Sequence, residues 1–394
     1  MVTKKLVLEN PTRNMKIILI CNSFTNNMKE ATNITTINFA QRLKMRGNKV
    51  WIVAEGRKGF CNYEEVMGIP VYRSCNKLAA YPLIGKIIAK IISIPIELHY
   101  LKLKRIYPDI VHSFSSAIII SLNGVIAKLI FSKCKIIHTL KSKSASGIGN
   151  KFYFLLRKFD AVTIATNKMK RELIYNSISR NKIYKIPSHI DTIKFSPANK
   201  KELKQIYGLG GKVVILHYGA MRDDKGTYDL FQSMPWVVKE FKNVIYMYIC
   251  RFDNIDPKYP KFLLEHNLVD NVKIITSDVK IEDYVKLADL AIFPYQTLTR
   301  TESNPSCVLE CMSSKTPVIT TNLEELSEIL RFDERIIFPP NNIKKIVDTT
   351  ILMLKNPKLR TILAESNFKN VKKYDVNKIT SKFLNLYITL KIAQ

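Results

Sequence analysis

Two carboxylates eight positions apart bracket the most chemically loaded stretch of the chain, Glu302-Ser303-Asn304-Pro305-Ser306-Cys307-Val308-Leu309-Glu310. The stretch follows an apolar run at 289–294 and opens a helical pattern that continues through Cys311-Met312-Ser313-Ser314. One glutamate therefore stands before the helix and the other within its first turns. Free amides at a helix N-terminus form an anion site, and a carboxylate inside that helix can accept from two hydroxyls, as a ribose diol presents. An ordinary capped helix, with Ser303 or Ser306 as N-cap and Glu310 in solvent, fits the same spacing.

A second loop, Tyr218-Gly219-Ala220-Met221-Arg222-Asp223-Asp224-Lys225-Gly226, joins a strand pattern at 212–218 to a helical pattern at 227–239. Lys225 and Arg222 at a strand-to-helix turn suit a diphosphate, one as a point charge and the other as a planar fork. Gly219 is a further candidate on the same side. The alternative is a surface turn in which Arg222 and Lys225 pair with Asp223 and Asp224.

Other nucleotide signatures are missing. After Lys16–Cys21 comes Asn-Ser-Phe-Thr-Asn-Asn, without the glycines of a pyrophosphate-binding turn. Gly208-Leu209-Gly210-Gly211 precedes a strand pattern and reads as linker, Gly147-Ile148-Gly149 is a lone pair, and no Walker sequence occurs. Seven cysteines without a C-x-x-C pair argue against a disulfide scaffold and a zinc ribbon, and fit reduced thiols in a cytosolic protein. These patterns lead to no expectation of a zinc-ribbon metal or a dinucleotide cofactor.

The elements that must position these loops repeat twice. A chain of 394 residues exceeds what one core usually serves, so two domains are expected. Strand patterns fall at 16–21, 50–54, 71–73, 110–114, 135–140, 161–166 and 183–186. They resume at 212–218, 244–249, 272–276, 290–293, 317–321 and 336–338, with amphipathic stretches such as 31–45, 83–107 and 169–176 between strands. Apolar strands separated by helices predict parallel sheets covered on both faces. The expected fold class is α/β, two doubly wound Rossmann-like domains facing across a cleft, with ligands at the carboxyl ends of strands. The expected boundaries are a polar N-terminal extension at 1–14, a first domain at 15–190, a linker at 191–211, a second domain at 212–374 and a closing helix at 375–394. Ile379, Phe383, Leu386 and Leu390 lie on one stripe of that helix, and its period leaves open which domain it closes.

Taken together and in this order, the two loops resemble the family 4 glycosyltransferases of the GT-B fold. The family's glutamate pair is met by Glu302 and Glu310, and its basic loop, in part, by Lys225-Gly226. Ala288-Asp289-Leu290-Ala291-Ile292-Phe293-Pro294, Leu309-Glu310-Cys311-Met312, Thr316-Pro317-Val318-Ile319 and Glu328-Ile329 run in the family's register. Pro108-Asp109-Ile110-Val111-His112, Phe159-Asp160-Ala161-Val162 and the segment Ile190 to Pro197 are similar to its first-half strand openings and inter-domain stretch. The likeness covers about residues 15–375 and is most specific in the second domain. Departures are Ala220 where the family carries Arg, Met28-Lys29-Glu30-Ala31-Thr32-Asn33 in place of a glycine-rich loop, Lys141 in place of a histidine, and Glu324-Glu325 in place of paired glycines.

The resemblance implies transfer of a sugar, with retained anomeric configuration and without a metal, from a nucleotide-diphosphate sugar to an acceptor hydroxyl. Catalytic roles fall to Glu302 and Lys225. Donor-binding roles fall to Glu310, Arg222, Gly219, Ser303, Asn304, Ser306 and Cys307. The first domain would receive the acceptor, with Lys141, His138 and His189 as candidates on that side.

Charge points to the acceptor. The chain holds 62 Lys+Arg against 33 Asp+Glu; residues 1–200 carry 34 and 10 of these, residues 201–394 carry 28 and 23. A basic half suggests an anionic partner. Ile84-Gly85-Lys86-Ile87-Ile88-Ala89-Lys90-Ile91-Ile92 places lysines one turn apart beside isoleucines, which suits a helix on an anionic bilayer, although a core helix with two exposed lysines reads equally. The apolar runs at 81–101 and 117–131 are interrupted and too short to span, and the first residues lack a signal-peptide core. The expectation is a cytoplasmic protein, peripheral at the inner membrane face, acting on a lipid-linked or cell-envelope glycan. A GT-B-fold nucleotide-sugar epimerase and a basic nucleic-acid-binding α/β protein remain alternatives, the latter without a base-stacking aromatic motif.

Overall fold

Ile17, Ile18, Leu19 and Ile20 are all fully buried, as consecutive residues are when a strand is covered on both faces. The computed structural model describes residues 14–22, 24, 31–81, 84–142, 149–250, 255–299, 301–330 and 334–393. Residues 1–13 of the expected extension, Met28 to Glu30 of the first loop, and Gly147 and Ile148 lie outside the described residues.

The chain divides into two units, residues 1–187 with 376–394, and residues 188–375. The first contains β1 (Lys16–Cys21), α1 (Ala31–Met45), β2 (Lys49–Ala54), β3 (Tyr63–Val66), β4 (Ile69–Tyr72), α2 (Ile84–Leu103), β5 (Ile110–Phe114), α3 (Ile118–Ile130), β6 (Lys135–Leu140), α4 (Gly149–Leu156), β7 (Ala161–Ile164), α5 (Asn167–Tyr175) and β8 (Ile183–Lys185). Its sheet runs β3-β4-β2-β1-β5-β6-β7-β8. All pairings are parallel except β3 with β4. That edge strand departs from the expected all-parallel sheet. Met67 and Gly68, at φ 50° and 78°, form the two-residue left-handed turn that closes such a hairpin, and Tyr-Glu-Glu-Val is too short and charged to read as a buried strand.

The second unit contains α6 (Lys200–Ile206), β9 (Val213–Tyr218), α7 (Thr227–Glu240), β10 (Val244–Ile249), α8 (Lys258–Glu265), β11 (Val272–Ile275), α9 (Ile281–Leu287), β12 (Leu290–Phe293), α10 (Ser306–Ser313), β13 (Val318–Thr321), α11 (Glu324–Ser327), β14 (Ile337–Phe338), α12 (Ile343–Lys355) and α13 (Pro357–Val371). Its parallel sheet has the order β11-β10-β9-β12-β13-β14. The chain builds outward from β9 to β11, then returns to start the other side with β12. The strand order therefore reverses between β9 and β12, and crevices at the carboxyl ends of strands open at such a switch point.

The stretch 191–211, expected as a linker, is built into this unit. Phe195 and Leu209 are buried in its core, and Lys204 of α6 pairs with Asp289, which also accepts from Val214 N at 2.8 Å. The last helix, α14 (Val376–Ile392), returns to the first unit. Its stripe buries Ile379, Phe383 and Leu386 beside α1 and the strands, and Tyr387 Oη meets His112 Nδ1 at 2.6 Å. Packing thus settles what its period left open. Both halves have the α/β class that was expected. No helix among the described residues is long and apolar enough to cross a membrane, and none of the seven cysteines is in a disulfide.

Candidate functional site

Both chemically loaded loops leave the second sheet at its switch point. The loop 219–226 follows β9, and the segment 294–305 follows β12. Backbone conformation fixes the first. Gly219 adopts φ 133°, open to glycine and closed to most side chains. Gly226, at φ 69°, passes so close to the other loop that a Cβ there would lie 1.8 Å from Pro294 O. The amides of Gln296 and Thr297 donate to Asp224 O at 3.1 and 3.3 Å, and Gln296 Nε2 donates to Asp229 at 3.0 Å. The two loops are laced into one structure.

The helix that opens after Pro305 has no side-chain cap. Pro305 is its N-cap residue and makes no capping hydrogen bond, so the first-turn amides of α10 keep their partial positive charge. The ordinary capped-helix alternative, with Ser303 or Ser306 capping, is not what forms. Ser303 and Asn304 are buried just ahead of the helix. Asn304 Oδ1 and Ser306 Oγ are buried without a hydrogen-bond partner, so both keep hydrogen-bonding capacity at the start of the helix.

Glu310 is not solvated either. Tyr218, the last residue of β9, donates its hydroxyl to Glu310 Oε2 at 2.6 Å and to Cys307 O at 3.1 Å. Burial, followed by the neighbouring carboxylate, pushes the Tyr218 hydroxyl well above its ordinary pKa, so it stays a donor. A carboxylate offers about four lone-pair directions; Tyr218 orients this one without exhausting it. Cys307 lies beneath, its Sγ 3.0 Å from Tyr295 Oη. Burial raises that thiol to about 12, so it is neutral packing rather than a nucleophile.

Lys225 reaches across to the same segment. Its Nζ donates to Thr301 Oγ1 and sits 5.0 Å from the centroid of the Tyr295 ring. Burial lowers its pKa to about 8, against the opposing pull of the Asp224 and Glu302 carboxylates. Thr301 immediately precedes Glu302, whose Oε2 accepts from Ser188 Oγ at 3.4 Å. The structure therefore gathers Lys225, Glu302, Asn304, Ser306, Cys307 and Glu310 around the start of α10.

Arg222 departs from the expectation. Its guanidinium closes bidentately on Asp224, with Nε and Nη2 each 2.8 Å from a carboxylate oxygen. The surface-turn pairing thus holds for Arg222 but not for Lys225. Asp223 takes Lys258 instead, at 2.9 Å.

The three acceptor-side candidates are divided between the two units. His138 is fully buried in the first unit's sheet, with Nδ1 2.8 Å from Ser113 Oγ and Nε2 3.0 Å from Ser115 O. Burial holds its pKa down to about 4, so it is a satisfied core histidine and no acceptor contact. Lys141 stands at the carboxyl end of β6 and donates to Thr35 at 3.2 Å. His189 belongs to the second unit, adjacent to Ser188.

Tyr218, Thr301 and Tyr295 are the site residues that sequence reasoning missed. Tyr218 touches Glu310 and Cys307 of α10, while Thr301 and Tyr295 meet Lys225 of the other loop, and their only local signal is a place at or after the carboxyl end of a strand.

Comparison with known proteins identifies the family and the fold. The family described as Glycosyl transferases group 1 matches residues 199–370, and Glycosyltransferase Family 4 matches residues 32–194. A capsular polysaccharide biosynthesis glycosyltransferase, CapH of Staphylococcus aureus, is 25% identical over 331 residues, 77% of this chain and 87% of that protein. An alpha-D-kanosaminyltransferase of Streptomyces kanamyceticus is 21% identical over 219 residues, 54% of this chain; the match spans only 55% of that relative's length. Among solved structures, Anabaena HepE in complex with UDP-glucose superposes with a TM-score of 0.72 at 14% identity, over 95% of this chain and all of that one. That last likeness speaks for the fold alone. The chain belongs to the group 1, family 4 glycosyltransferases and has their GT-B fold.

Proposed function

We propose that the protein transfers a hexosyl group from a nucleotide-diphosphate sugar to an acceptor hydroxyl, with retention of anomeric configuration and without a metal, in the synthesis of a cell-envelope glycan. The observation that carries this reading is the uncapped start of α10, flanked by Glu302 and Glu310 and faced by Lys225. A diphosphate fits where a helix N-terminus and an ammonium group converge. Glu310, steered by Tyr218, accepts from the ribose hydroxyls. Asn304 and Ser306 supply buried polar atoms toward the donor. UDP-glucose in HepE and the polysaccharide role named for CapH support a nucleotide-sugar donor and a glycan product.

In the reaction the bond between the anomeric carbon and the diphosphate oxygen breaks, and the electron pair leaves with the phosphate. The acceptor oxygen attacks from the face the phosphate vacates and passes its proton to the departing phosphate oxygen. Lys225 and the α10 amides stabilise the charge that develops there. Removing one preorganised donor of this kind costs roughly 10²–10³ in rate. Glu302 stabilises positive character at the anomeric carbon and holds sugar hydroxyls. The first unit receives the acceptor.

A panel of nucleotide sugars assayed for turnover, with the product's anomeric configuration read by NMR, tests the proposal. Release of nucleoside diphosphate only when acceptor is added, with a retained linkage, is expected. Epimerised sugar released without acceptor would overturn it.

A further inference from the structure

Over its first half, α2 turns its small residues inward and its large ones out. Gly85, Ala89 and Ser93, four apart, are buried; a Cβ on Gly85 would lie 2.4 Å from Leu78 O, so the helix rests closely on the turn before it. Ile84, Ile87, Ile88 and Ile91 stand outside, 68%, 51%, 40% and 44% exposed. Beyond Ser93 the pattern is ordinary, with Ile94, Leu98 and Leu101 fully buried. A helix that buries glycine and alanine while exposing four isoleucines reverses the usual amphipathic order, and such a contiguous apolar face marks a contact with something outside the fold.

Charge narrows what that contact is. Lys86 and Lys90 are exposed among the isoleucines, and Lys102, Lys104 and Arg105 are exposed at and just beyond the end of the helix. Residues 81–158 carry 13 basic side chains and 2 acidic ones. Of the two acids, Glu97 is buried, and Asp109 accepts from Lys16 N at 2.8 Å and pairs with Lys391 at 2.8 Å. The outer surface of α2 is therefore cationic and apolar at once.

We infer that this face docks in the plane of an anionic lipid bilayer, its isoleucines at the acyl boundary and its lysines at the headgroup phosphates. A second copy of the chain would set two cationic patches against each other. Protein interfaces deplete lysine and build their anchors from Trp, Tyr and Arg. Nucleic acid gives four isoleucines no apolar phase to enter. A bilayer satisfies both halves of the surface. The inference does not rest on the donor site, which lies in the other unit.

Flotation of the full-length protein with vesicles of phosphatidylcholine alone, and of phosphatidylcholine mixed with phosphatidylglycerol, tests it at low and high salt. Binding to the anionic vesicles that weakens with salt, and little binding to the neutral ones, is expected. Ile87→Gln with Ile91→Gln lowers partitioning roughly tenfold with the melting temperature unchanged. Lys86→Gln with Lys90→Gln lowers it roughly ten- to thirtyfold and flattens the salt dependence. Equal binding to both vesicle types, binding to neither, or wild-type partitioning of both variants would overturn the inference. So would self-association that disappears with the isoleucine substitutions, which assigns the face to a second copy. Nucleotide titration of the same variants stays at wild-type values, which keeps this outcome separate from any failure at the donor site.

Discussion

The phenol of Tyr218 and the carboxylate of Glu310 meet at 2.6 Å although 92 positions separate them. The contact links the end of β9 to the first turns of α10, the helix that follows β12 across the point where the strand order reverses. A glutamate that would otherwise sweep through several rotamers is held in one orientation.

Removing that hydroxyl isolates its role. Tyr218→Phe leaves the ring packed and loses a hydrogen bond to a charged acceptor, worth about 1.5–3 kcal/mol. Nucleotide affinity is expected to fall by roughly ten- to a hundredfold, with turnover at saturating donor changed far less. Steady-state kinetics that separate KM from kcat check this.

On the proposed reading, Lys225 is expected to make donor binding depend on pH. Burial brings its pKa down to about 8 in the unliganded protein, and a bound diphosphate, being anionic, raises it again. Between those two values binding takes up a proton. Affinity is therefore full below pH 8 and falls as pH rises above it, by at most about tenfold per pH unit. Calorimetry in buffers of different ionisation enthalpy detects the proton, and Lys225→Ala abolishes the dependence.

The two basic residues of the loop after β9 are not equivalent. Arg222 is forked onto Asp224, whereas Lys225 donates to the hydroxyl of Thr301. Arg222→Ala is expected to lower kcat/KM severalfold, and Lys225→Ala by roughly 10²–10³. A parallel assay of both variants checks the ranking.

Gly226→Ala tests the seam between the loops. The new methyl would lie 1.8 Å from Pro294 O, on a backbone at φ 69°. The left-handed conformation alone costs roughly 1–2 kcal/mol, and relief of the clash adds to it, for a total of about 2–4 kcal/mol. A lowered denaturation midpoint, with nucleotide affinity reduced alongside, is the expected result.

Much of this was legible in the sequence, for a physical reason. Ile17 to Ile20 and Leu290 to Phe293 are continuous apolar runs, and only strands covered on both faces bury every residue. Glu302, Glu310 and Lys225 stood out as candidates because the segments after parallel strands are where ligands bind. Other features depend on contacts between segments far apart in the chain. The β3 hairpin hangs on two left-handed residues, Met67 and Gly68, flanked by charge. The supposed linker at 191–211 is claimed by the second unit through Phe195 and Leu209. Arg222 satisfied the pattern of a phosphate ligand, yet its neighbour two residues on captures it first. His138 lies on a strand, and only the packed structure reveals that its ring nitrogens face Ser113 and Ser115.

Calorimetric titration of nucleoside diphosphates into wild-type protein and into the Lys225→Ala and Glu310→Ala variants asks the central question. One nucleoside diphosphate is expected to bind the wild type, and each variant to bind it at least roughly tenfold more weakly while melting at the wild-type temperature. Unchanged affinity in both folded variants would contradict a donor site at the start of α10.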